Sequence, residues 1–444
     1  MVLCYMMRRG AVAWMGKFLY SYNMDFKKKV LDNGLRIITI PQPNAVAMTA
    51  LVLVETGSKY ETKENSGIAH FLEHMCFKGT TTRPKPMQIS SELDSLGAQS
   101  NAFTGHEYTG YYAKASADKA MEILDIIADL YINPIFSEDE IEKEKGVIIE
   151  ELNMYEDMPH RKAGDYFLSL LYGDQPAGWD IGGDREVIKN AKRQDFLDFR
   201  ERHYMPKATT LILVGKIDEE KMVEQAKRLF ADMENKEKAD KLPVKEAQNK
   251  PEVFLKEKKS DQAHIVLGYR ALDMNDERRF ALEVLGDVLG GGMSSRLFAL
   301  LREKMGAAYY VGAGADLFTD HGYIEASAGI QLAKIDEAIK GILEEFKKLR
   351  EEKISDEELE RAKNHLTGSL LLGLETSDSL AVFYGIQELL KKEITTTDDL
   401  IRKIESVTAE DIQKLAQQLF APENLNLVVI GPFEDKKRFE DLLV

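Results

Sequence analysis

Short, largely apolar runs rich in branched residues recur along the chain, and those at Leu35 to Ile40, Ala50 to Glu55 and Thr210 to Val214 predict strands. Between them, apolar positions return every three or four residues, as an amphipathic helix requires. The stretches Ala117 to Tyr131 and Ile335 to Leu349 are the longest such patterns and predict helices. Both kinds of element alternate in each part of the chain, which predicts an α+β class.

The pattern also repeats. Residues 193–215 read RQDFLDFRERHYMPKATTLILVG and residues 409–431 read AEDIQKLAQQLFAPENLNLVVIG, pairing Asp195 with Asp411, Pro206 with Pro422 and Gly215 with Gly431 at an offset of 216. SEDEIEKEK from Ser137 matches SDEELERAK from Ser355 at an offset of 218. A helix followed by a strand looks alike anywhere, but the shared order and spacing favour a duplicated unit. Residues 232–251, DMENKEKADKLPVKEAQNKP, are charge-dense and aperiodic, as an exposed linker is. The division expected is an N-terminal extension (1–24), an α+β domain (25–232), a linker (233–251) and a second α+β domain (252–444).

Composition narrows the function. At 444 residues, with 44% hydrophobic and 30% charged positions, the chain reads as a multidomain globular protein. No stretch approaches the roughly 18 uninterrupted apolar residues of a membrane span. A formal charge of -16 repels polyphosphate, so nucleic acid is not expected as a partner, while peptides carrying Lys or Arg would be attracted. With only Cys4 and Cys76 there is no disulfide framework, and a reducing, cytoplasmic setting is expected. Residues 1–24 carry Arg8, Arg9 and Lys17 and no acid, which leaves organellar targeting open, although Lys17 breaks the apolar stretch; the alternative is that translation starts at Met24.

The chemistry concentrates in SGIAHFLEHMCFKGT. Ser66 is placed to cap a helix that Gly79 stops, and inside it His70 and His74 stand four residues apart, on one face. Glu73 lies on the same turn. Ile68, Ala69, Phe71, Leu72, Met75 and Cys76 make the rest of this helix apolar, so it is expected to be buried, and burying Glu73 with two histidines is costly without a cation. Two satisfied core histidines would leave Glu73 without a partner. Two imidazoles with one adjacent carboxylate suit a catalytic zinc and the base that activates its water, in the inverted His-x-x-Glu-His order.

GIAHFLEHMCFKGT resembles the signature of the pitrilysin/insulinase family of inverted-motif zinc peptidases, in particular the branch similar to the mitochondrial processing peptidase and its bacterial relatives. The resemblance runs from about residue 26 to 444 and implies two similar domains, each an antiparallel sheet packed with helices, closing as a clamshell. In EKGVIIEELNMYEDMP it makes Glu151 the third ligand, with Glu144 two turns earlier supporting the site. Glu150 is the rival, pointing about 100° away on an ideal helix, and periodicity alone does not choose between them. NAFTGHEYTGYYAKAS is similar to the family's substrate-binding strand, implicating Asn101, Ala102, Phe103 and Thr104, with Glu107 as a helper and His106 incidental.

In the second half, an offset of 218 carries His70, Glu73 and His74 onto Val288, Gly291 and Gly292, and Glu144 and Glu151 onto Ala362 and Ser369, so no second zinc is expected. LGGGMSSRLFALLREKMGAAYY instead resembles the family's glycine-rich stretch with an Arg and a Tyr, here Arg302 and Tyr309, that stabilise developing negative charge. Met305-Gly306-Ala307-Ala308 departs from the relatives and bears on specificity. The function implied is a zinc-dependent endopeptidase for extended peptides, with one Zn2+ per chain and a homodimeric chamber. The alternatives are a non-catalytic assembly subunit and a chamber that holds peptides without cutting them.

Overall fold

The computed structural model describes residues 25–443. The extension at 1–24, with its targeting and start-site readings, lies outside the described residues. Strands β1 (Lys27–Val30), β2 (Arg36–Pro41), β3 (Ala47–Val54), β4 (Gln99–Thr104), β5 (Thr109–Ser116) and β6 (Thr209–Gly215) form one sheet in the order β1-β2-β6-β3-β5-β4. Strands β7 (Glu252–Glu257), β8 (Gln262–Ala271), β9 (Ala308–Leu317), β10 (Gly322–Gln331) and β11 (Asn426–Gly431) form the other, in the order β7-β11-β8-β10-β9. Apart from β1 the two sheets share one topology. Thr210 pairs with Leu53 and, at the repeat offset, Asn426 pairs with Gly268.

The sheets are mixed rather than wholly antiparallel: β2 runs parallel to β6, and β7 to β11. Each of these pairs is separated by most of its half, so the chain returns by long helical crossovers, as a parallel pair requires. Ser137 and Ser355 precede the equivalent helices Glu138–Glu156 and Asp356–Gly373. Residues 234–248 contain no helix or strand, but they are tied down: Lys238 reaches Glu55 at 2.7 Å and Lys241 reaches Asp320 at 2.7 Å.

The strands read as near-continuous apolar runs because both faces of each sheet are covered. In the first sheet Ile37, Ala50, Val52 and Leu211 face their own half's helices. Ile38, Leu51, Leu53 and Ile212 face Leu380, Ala381 and Tyr384 on the helix Ser377–Ile386 of the second half. The exchange is reciprocal: Ala163, Phe167 and Leu171 on the helix Pro159–Tyr172 of the first half cover Val266, Tyr323, Val428 and Ile430 of the second sheet. Each crossing is close. A Cβ on Gly385 would sit 2.6 Å from Leu53, and one on Gly268 would sit 2.9 Å from the Phe167 ring. Each half therefore completes its hydrophobic core with a helix from the other.

Candidate active site

The motif helix spans Ile68–Cys76 and buries Ile68, Ala69, Phe71, Leu72, Met75 and Cys76 in the first core. This leaves His70, Glu73 and His74 on its remaining side, beside β4 and the helix Glu138–Glu156. Gly67 rather than Ser66 occupies the N-cap, at φ 90°, and makes no side-chain cap; Cys76 ends the helix before Gly79, which lies beyond it at φ 124°. The amide N–H groups of Gly67 and Ala69 are taken by the two carboxylate oxygens of Glu61, at 2.7 and 2.8 Å. Sequence reading missed this contact, because Ser66 offers the ordinary capping signal and Glu61 lies in the preceding loop.

His70, His74 and Glu151 each offer a ligand atom, and the three atoms lie within 4.8 Å of one another. Glu151 Oε2 is 3.7 Å from His70 Nε2 and 3.6 Å from His74 Nε2. These separations are too long for hydrogen bonds and close to the roughly 3.3 Å expected between ligands spaced tetrahedrally around a zinc at about 2.0 Å. Glu150, by contrast, is exposed and accepts from Asn153 at 3.3 Å. Among the described residues this is the only group of three or more His, Cys, Asp or Glu placed to hold a metal.

The donors are prepared unequally. His74 Nδ1 lies 3.0 Å from Glu144 Oε1, and Lys78 pairs with the other Glu144 oxygen at 2.6 Å. A proton on Nδ1 shared with Glu144 leaves the Nε2 lone pair free toward Glu151. Burial alone would lower the His74 pKa, but the Glu144 hydrogen bond reverses it and the ring is raised. Among the described residues His70 has no such partner: its Nδ1 is buried without a hydrogen bond, and burial together with the neighbouring His74 pushes the ring down to about 4, which leaves it in the neutral form that could bind a metal. Tyr155, one turn after Glu151, donates its hydroxyl to that carboxylate, an i,i+4 contact that helical spacing alone could have indicated.

Glu73 accepts a hydrogen bond from the Thr104 hydroxyl, and burial raises its pKa against that bond. Thr104 ends β4, an edge strand paired on one side only, with β5. Asn101 is exposed there, and Ala102 and Phe103 are partly covered, so the free side of the strand lies next to the base. Glu107 turns elsewhere. It is 2% exposed, and its oxygens are bound by Lys59 at 2.8 Å and by the Thr319 hydroxyl and amide at 2.7 and 3.0 Å. Lys59 continues to Asp320 at 2.5 Å, so this cluster joins the two halves. His106 is structural, with Nδ1 2.9 Å from the Ser58 hydroxyl.

In the second half the helix Arg279–Gly290 takes the place beside β9 that the motif helix takes beside β4. The face it turns to the strand carries Gly286 and Gly290, not the Val288, Gly291 and Gly292 reached by the fixed offset. A Cβ on Gly290 would meet the Ala313 nitrogen at 2.2 Å, so this helix lies directly on its strand. Arg302 donates to the Tyr309 carbonyl, and the Tyr309 side chain is 56% exposed. The two meet only through that backbone carbonyl, and neither bonds to His70, His74 or Glu151.

Residues 36–185 match the family profile described as "Insulinase (Peptidase family M16)", and residues 190–366 match "Peptidase M16 inactive domain". The chain is 35% identical over 406 residues to a Bacillus subtilis protein named "Uncharacterized zinc protease YmxG", an alignment covering 91% of this chain and 98% of that one. It is 34% identical over 414 residues to a Rickettsia felis protein named "Uncharacterized zinc protease", covering 92% and 98% respectively. A Helicobacter pylori structure titled as a protease superposes with a TM-score of 0.84 at 24% identity, covering 92% of this chain and 99% of that one, a likeness of fold. The chain belongs to the insulinase family, peptidase family M16.

Proposed function

We propose that this protein is a zinc-dependent endopeptidase acting on extended peptides, and the convergence of His70, His74 and Glu151 within 4.8 Å carries the proposal. A zinc ion held by these residues would supply the Lewis acidity that acidifies water and polarises a scissile carbonyl. Glu73 is the general base, its carboxylate oriented by Thr104, and it returns the proton to the leaving amine. Asn101, Ala102, Phe103 and Thr104 offer a strand edge to which a peptide can add by backbone hydrogen bonds, which suits tolerance of many sequences. Arg302 and Tyr309 are assigned to the negative charge that develops on the substrate, and Glu144 to orienting His74. Glu107 serves by holding the halves together rather than by touching substrate.

The net charge of -16 favours basic peptides. One zinc per chain, a homodimeric chamber and a cytoplasmic location complete the reading. Among the described residues no helix is long and apolar enough to cross a membrane. The test is zinc per chain together with cleavage of an unstructured basic peptide by wild type and Glu73→Gln. Retained zinc with hydrolysis lost by about 100-fold or more is expected. Equal cleavage by both proteins, or cleavage that a chelator leaves intact, would sink the proposal and leave the assembly-subunit or peptide-holding readings.

A further inference from the structure

The motif helix lacks a cap of its own, although it begins only two residues before the first proposed ligand. Helix first turns leave amide N–H groups unsatisfied and fray unless something holds them. Here the holder is remote: Glu61, 2% exposed, spends both carboxylate oxygens on the amides of Gly67 and Ala69 and, among the described residues, pairs with no cation. Burial pushes the Glu61 carboxyl up to about 8, while the two amide hydrogen bonds oppose that shift and the positive end of the helix dipole favours the anion at this point. From the other side, the 180–184 turn presses against the same point. A Cβ on Gly183 would sit 2.3 Å from Gly67 Cα, and one on Gly67 would sit 2.7 Å from the Gly182 carbonyl oxygen.

The two histidines depend on this arrangement differently. His74 stands in the second turn, and its ring is oriented by Glu144 at 3.0 Å. His70 stands in the first turn, directly after Ala69, and among the described residues its Nδ1 has no hydrogen-bond partner. With no outer group to aim the ring, the position of His70 Nε2 is set by the backbone beneath it. We propose that Glu61 is a positioning residue for the metal centre: by fixing the first turn of the motif helix it holds His70 where His74 and Glu151 can share one ion with it.

This rests on the zinc-peptidase reading above. The decisive variant is Glu61→Gln, which keeps the shape and one acceptor but turns an N–H group toward a backbone N–H. Zinc affinity by chelator competition, the visible absorption of the cobalt-substituted protein, and kcat and KM are measured beside Tyr131→Phe. That control loses a buried 2.7 Å hydrogen bond in the same core, between Tyr131 and Thr209, neither of which belongs to the motif helix.

Glu61→Gln is expected to bind zinc about 10- to 100-fold more weakly, to alter the cobalt spectrum and to lower kcat with KM nearly unchanged. Glu61→Asp, which retains the charge at shorter reach, is expected between Gln and wild type, and Tyr131→Phe at wild-type affinity. Wild-type affinity and spectrum in Glu61→Gln overturn the proposal alone, as does an equal loss in Tyr131→Phe. A wild-type chain that takes up no zinc overturns the peptidase reading as well.

Discussion

The Thr104 hydroxyl donates to the Glu73 carboxylate at 2.5 Å, joining the last residue of the free-edged strand β4 to the proposed base. A peptide laid along β4 would thus be positioned by the same strand that aims the base. Thr104→Val keeps the shape and removes the donor. It is expected to lower kcat by about five- to tenfold, the worth of one such bond, with zinc content unchanged in metal analysis.

Glu150 and Glu151 are adjacent in sequence and opposite in consequence. Glu151→Gln is expected to reduce zinc per chain and abolish cleavage, because it removes the proposed ligand anion. Glu150→Gln, altering an exposed side chain that touches Asn153, is expected to leave both within about twofold of wild type. Metal content after gel filtration against a weak chelator separates the two.

The cluster around Lys59 predicts a pH dependence of stability. Burial alone would raise the Glu107 carboxyl, but the charge and hydrogen bond of Lys59 and the bonds from Thr319 override it and hold it below the usual range. Asp320 is likewise depressed against its burial, by His321, Lys241 and Lys59. Carboxylates lowered in the fold stabilise it above their unfolded values near pH 4, and that stability is lost as pH falls through the folded ones. Lys59→Met is expected to cost up to about 3–5 kcal/mol at neutral pH, by leaving the buried Glu107 carboxylate with only the 3.5 Å contact to Lys241 as a cation partner. The gap in denaturant midpoint should close as pH drops below about 4.

The exchanged helices predict a single cooperative unit. Phe167→Ala removes a fully buried ring from the face of the other half's sheet and is expected to cost about 3–5 kcal/mol, with both halves melting together in calorimetry. A fragment of residues 25–232 would expose the face bearing Ile38, Leu51, Leu53 and Ile212, and is expected to aggregate rather than fold. Two separate melting transitions would contradict this account.

The strands near 35–40, 50–55 and 210–214, the helices near 117–131 and 335–349 and the face shared by His70, Glu73 and His74 were legible in the sequence, because each is a matter of spacing along a few turns or a few pleats. Side-chain direction is set by local backbone geometry, so a four-residue interval reports a shared face wherever the helix lies. The convergence of Glu151 with His70 and His74, the Glu61 cap, the turn of Glu107 toward Lys59 and the crossing of helices between halves required the folded chain. An apolar stripe says that a helix must be covered, not by what. A carboxylate says that it needs a partner, not which amide or cation the fold will bring to within 3 Å of it.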